Sequence, residues 1–160
     1  MQENFAFSRN TTVGFARRVR KNLDFIVKKR SEGHDVHEVT QLAISLLGII
    51  VFPWEAGALG HVDSLSLSNL EQEGWPRWNI LLDAKGDTNT LGKLTRHLRN
   101  AASHRRITFS SDDPEMAKVE IQFEDAPRDE ETASWRATIN SADLKAFCDR
   151  FTKDLEVSVG

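Results

Sequence analysis

Apolar residues recur every three or four positions in four stretches of this chain. In three others they recur at every second position. The first rhythm is that of an amphipathic helix and the second that of a half-buried strand. Phe15, Val19, Leu23 and Ile26 share one face of a helix predicted from about Val13 to Arg30, with Thr11 or Thr12 as its cap and Gly33 past its end. The other face carries Arg17, Arg18, Arg20, Lys21, Lys28 and Lys29. A second helix is predicted over His37–Val51, opening after Asp35 and stopped by Pro53. Val39, Leu42, Ala43, Leu46, Leu47 and Ile50 follow its period, and its end is apolar almost all round, as in the central helix of a bundle. The apolar tract Leu42–Trp54 is shorter than the ~20 residues of a membrane span, so burial is expected and no membrane partner.

A third helix is predicted from Asn89 to about Arg105, capped by Asn89 or Thr90. A fourth opens at Asn140 or Ser141, with Asp143 in its first turn to suit the helix dipole. Leu144, Phe147, Phe151 and Leu155 mark its buried face. Between these two helices the period drops to two. "RITF", "KVEIQF" and "SWRATI" read as strands joined by acidic turns. Residues 55–86 carry a weaker signal, in which glycines, Pro76 and serines argue for connections with a short helix or an extended piece. The expected architecture is mainly α: one domain over residues 1–160, a four-helix bundle with a small antiparallel β insert, about residues 106–139, between the third and fourth helices.

Composition narrows the class without changing this outline. The 160 residues are 39% hydrophobic and 28% charged, as in ordinary globular proteins. Cys148 is the only cysteine, which excludes an intramolecular disulfide and fits a cytoplasmic location. The stretch "MQENFAFSRNTTVGF" has no basic segment followed by an apolar run, so no secretory signal is expected there. No Cys/His set has zinc spacing, and neither metal nor cofactor is expected. His34 and His37, three apart around Asp35, are thin grounds for a metal.

Charge changes the picture more. The chain's net charge is −3, yet residues 1–30 carry +6, residues 93–106 carry +5 and residues 112–131 carry −7. The stretch "LTRHLRNAASHRRITF", Leu94–Phe109, holds four arginines and two histidines with no carboxylate. At ~100° per residue, Leu91, Leu94, Leu98, Ala101 and Ala102 share one face of the third helix. Arg96, His97, Arg99, Asn100, Ser103 and His104 share the other. Asn100 and His104 are i,i+4 neighbours, as are Arg99 and Ser103. With no acid on this face, its cations lack a local counterion, an unfavourable arrangement unless something anionic meets it. The plainer alternative is a set of surface cations near a helix C-terminus, where the dipole favours them.

"LRNAASH" resembles the signature of the HEPN superfamily: an Arg, a polar residue, three further residues and a His near the end of the third helix of a four-helix bundle. The β insert resembles a small bacterial branch associated with defence or toxins. The resemblance implies a metal-independent ribonuclease acting as a homodimer, the two signature helices meeting at a shared cleft. It implies Arg99 and His104 as the catalytic pair with Asn100 in support. Some relatives are silenced by modification of a tyrosine just after the signature His. This chain has no tyrosine, and Arg105 and Arg106 stand there instead.

The residues suit that chemistry. RNA carries its own nucleophile, the 2′-hydroxyl. A His moves protons near neutral pH, and an Arg grips phosphate oxygens as charge builds on them. The expected products are 2′,3′-cyclic phosphate and 5′-hydroxyl ends. Arg96, His97, Ser103, Arg105 and Arg106 are expected to hold flanking RNA. An antitoxin or other regulatory protein is a further expected partner. The alternative is a non-catalytic HEPN-like module binding RNA, nucleotide or a protein.

Overall fold

The computed structural model describes residues 9–159; residues 1–8, which hold part of the stretch read for a signal, and residue 160 lie outside the described residues. Helix α1 spans Arg9–Ser31. It is already formed at Arg9, so neither Thr11 nor Thr12 caps it, and Thr12 is buried inside the fold. Gly33 ends it as expected, with a φ of 89° and the paired backbone bonds Gly33 N to Arg30 O and His34 N to Lys29 O.

Helix α2 spans Glu38–Leu46, a π turn follows over Leu47–Val51, and α3 runs on through Phe52–Glu55. The cap is His37, whose Nδ1 accepts from Thr40 N. Pro53 does not stop this rod, contrary to expectation. The π turn widens the ladder so that Phe52 N–H reaches Leu47 O, and the proline then falls in the first turn of α3, where no amide donor is needed. The extra turn carries Glu55 to the end of the rod. Gly48 sits where α1 crosses: a Cβ there would lie 2.6 Å from Val19 Cγ2.

The weak middle segment holds a short helix α4, Leu67–Gln72, and a strand β1, Asn79–Asp83. Helix α5 spans Leu91–Ser103, and Thr90 caps it by accepting from Lys93 N. The expected strands follow as β2, Ile107–Phe109; β3, Glu120–Asp125; and β4, Trp135–Asn140. Helix α6 spans Ser141–Val159 and is capped by Asn140, whose Oδ1 accepts from Ala142 N. The four strands form an antiparallel sheet in the order β1-β4-β3-β2.

The β structure is therefore not confined to an insert between the last two long helices. Its edge strand β1 comes from ahead of α5 and covers the open side of β4. The register slips between Ile80 and Leu82, which breaks the simple alternation by which a strand is read. Among the described residues, four long helical segments lie where apolar periodicity put them, but they pack with a four-stranded sheet rather than as a bundle with a separate insert. Leu91, Leu94, Leu98 and Ala101 of α5 are buried, and α5 lies between the π turn and β3. Trp75, Trp78, Phe123, Phe147 and Phe151 join helices to sheet in the core. Cys148 is buried there, and burial pushes its thiol up to about 12, so it is unreactive packing.

Candidate functional site

The polar face of α5 looks into a cleft of about 690 Å³ between the end of α5, the end of β3 and the loops after β1 and β3. Of the residues singled out in the sequence, Arg96, His97, Arg99, Asn100, His104 and Arg106 line it. Ser103 and Arg105 are exposed at the end of the helix and do not. The stripe of leucines and alanines makes this possible: it fixes the roll of α5, and the opposite face has nowhere else to go.

The helix stops one residue before its histidine. His104 is the C-cap and is exposed, with its backbone N–H on Asn100 O. Arg105 follows at a φ of 56°, and Arg106 N–H returns 2.8 Å to Ala101 O. This is the helix-ending bond pattern seen at Gly33, with an arginine in the left-handed position that costs an L side chain about 1 kcal/mol. The reversal turns Arg106 back toward the cleft, where its Nη2 donates to Glu130 O at 3.1 Å.

The expectation that this face lacks counterions is corrected. Arg99 donates through Nε and Nη2 to Glu55 Oε1 and through Nη1 to Asn100 Oδ1 at 2.7 Å. Asn100 Nδ2 in turn donates to Asp125 Oδ2 at 3.0 Å, and His97 Nδ1 donates to the same oxygen at 2.8 Å. The His97 ring lies flat on Trp135, centroids 4.5 Å apart and planes 6° from parallel. A continuous chain of contacts thus runs from Glu55 on α3, across α5, to the sheet. Both acids come from other elements, so no reading of α5 alone finds them. Asp125 did carry a signal: it continues the inward alternation of Val119, Ile121 and Phe123 and puts a carboxylate at a core-facing position, where it is buried.

Partial burial of Asp125 favours its neutral form. The hydrogen bonds from His97 and Asn100, the charge of His97 and the Ala126 N–H outweigh that and hold the carboxyl below the ordinary aspartate range. At neutral pH it is ionised. Asp83, on the far rim, is held low in the same way: burial opposes ionisation, and the bonds from Thr88 and Gly86 prevail. That rim also carries Asp87, bound to Lys93 at 3.1 Å, so the cleft is mixed in charge rather than purely basic.

Residues weighed for other roles are accounted for locally. His37 caps α2 and bonds Asp112 O, while His34 lies near Glu32. Among the described residues no three His, Cys, Asp or Glu side chains gather as a metal-ligating group.

No curated protein and no solved structure matches the chain. The model of the HEPN pEK499 p136 family matches residues 1–159. That match spans nearly the whole chain, and the chain belongs to the HEPN pEK499 p136 family.

Proposed function

We propose that this protein is a metal-independent endoribonuclease of HEPN type. The observation that carries the reading is that Arg99, Asn100 and His104 line one cleft at the end of the signature helix of a HEPN family member. Arg99 takes the scissile phosphate, exchanging Glu55 for phosphate oxygens. Asn100 holds the guanidinium in register. His104, exposed at the helix end, moves one of the two protons that the reaction requires. The other proton carrier is either a second copy of His104, in a two-fold dimer that joins two clefts, or a further group in the same cleft. The products are 2′,3′-cyclic phosphate and 5′-hydroxyl ends. Incubation of total cellular RNA with purified protein in EDTA tests the reading: the wild type cuts, and folded Arg99→Ala and His104→Ala variants do not. RNA left intact by the wild type overturns it.

A second reading has its own support. The ion pair with Glu55 occupies Arg99 in the free protein, as suits a module that binds RNA, nucleotide or a partner protein without cutting. RNA bound but never cut favours that module. The role we infer for the nuclease is that of a cytoplasmic toxin or anti-phage effector, held in check by an antitoxin or other regulator. Resemblance to defence-associated HEPN branches supports it. Growth arrest on expressing the wild type, but not Arg99→Ala, tests it.

A further inference from the structure

We propose that His97 is a catalytic base of the cleft, paired with Asp125, a role that rests on the ribonuclease reading above. The dyad is built rather than incidental. His97 is held at Nδ1 by Asp125 Oδ2 and across its whole ring by Trp135. Its side chain is 14% exposed and that of Asp125 11%, so both are nearly withdrawn from water. Nε2 has no hydrogen-bond partner among the described residues, and the ring lines the same cleft as Arg99 and His104.

Packing alone does not account for this choice of residues. A phenyl ring at position 97 would stack on Trp135 as well. An apolar residue at position 125 would continue the buried side of β3 after Ile121 and Phe123. Instead a carboxylate is buried, at a desolvation cost, and Asn100 is also committed to it. Replacing such a set by apolar side chains is commonly neutral or stabilising, so its presence points to chemistry.

The geometry dictates the tautomer. Asp125 accepts the Nδ1 proton, so a neutral His97 has its lone pair on Nε2 and is a base toward the cleft. His97 Nε2 takes the proton of the RNA 2′-hydroxyl. The 2′-oxygen bonds to phosphorus, the P–O5′ bond breaks, and His104 gives its proton to O5′. Asp125 stabilises the imidazolium formed on His97. Exchange with water returns each histidine to its starting state. One protomer's cleft then holds both proton carriers.

The test compares RNA cleavage by the wild type with that by His97→Asn and His97→Phe, using total tRNA and total cellular RNA in EDTA. His97→Asn retains a donor toward Asp125, and His97→Phe retains the stacking. Each is expected to fold with the wild-type circular dichroism spectrum, to cut at least ~100-fold more slowly, and to lose the rising limb of the pH–rate profile. Folded variants that cut at the wild-type rate with an unchanged profile overturn the proposal and make His97 a packing residue. If both variants fail to fold, Asp125→Asn decides: a drop of about tenfold or more, with the rising limb altered, upholds the dyad, and an unchanged rate and profile overturn it. A wild type that cuts neither RNA overturns the ribonuclease reading itself, a failure distinct from that of the variants alone.

Discussion

Arg99 and Glu55 stand forty-four residues apart, and the guanidinium reaches Glu55 Oε1 through both Nε and Nη2. The contact exists because the π turn lets the second helical rod continue past Pro53. Glu55 remains half-exposed, so the pair contributes at most about 1 kcal/mol to stability. Its main consequence is competition: a phosphate entering the cleft must displace a carboxylate. Glu55→Gln is therefore expected to leave thermal stability nearly unchanged and to tighten RNA binding several-fold. Fluorescence anisotropy with an end-labelled RNA, at low and physiological salt, checks this. Equal or weaker binding by the variant removes Glu55 as a gate on Arg99.

Asp125 joins α5 to the sheet through two side chains at once. Asp125→Ala leaves His97 and Asn100 without their acceptor and is expected to cost about 1–3 kcal/mol in urea unfolding. The carboxyl is held below its ordinary value of 3.8 in the folded state, so its contribution is full above that value. It is lost as pH falls through the lowered folded value. The gap in stability between wild type and Asp125→Asn should therefore narrow as pH drops below about 4. A gap that widens on acidification contradicts the assignment.

Arg105 bears a left-handed backbone that glycine adopts freely. Arg105→Gly is expected to stabilise the fold by about 1 kcal/mol, read as a higher urea midpoint with an unchanged slope. A destabilised variant indicates that the Arg105 side chain makes a contact worth more than the strain.

Leu98 lies at the centre of the buried face of α5 and is 2% exposed. Leu98→Ala is expected to cost about 2–5 kcal/mol of stability. Cleavage per folded molecule, measured well below the melting temperature, should stay within about twofold. This variant separates loss of fold from loss of chemistry. A large drop in the folded fraction's rate would mean that the roll of α5 is set by Leu98 alone.

Periodicity was enough to place α1, the body of α2, α5, β2, β3, β4 and α6, because each buries a face repeated along its own length. It failed where a local rule met a tertiary exception. Pro53 reads as a stop, and the π turn cancels it. Strand β1 exists because β4 has an edge to cover, and its bulge blurs the alternation. The site divides along the same line. That Arg99, Asn100 and His104 open on one side was legible, because α5 and its C-cap hold them at fixed spacing and they line one cleft. Their electrostatic surroundings were not: Glu55 and Asp125 arrive from the end of another helical rod and from a strand. Hydrophobic spacing is a property of neighbours in the chain, so sequence states it directly. The charge balance of a cleft depends on which distant segments converge on it, and only packing settles that.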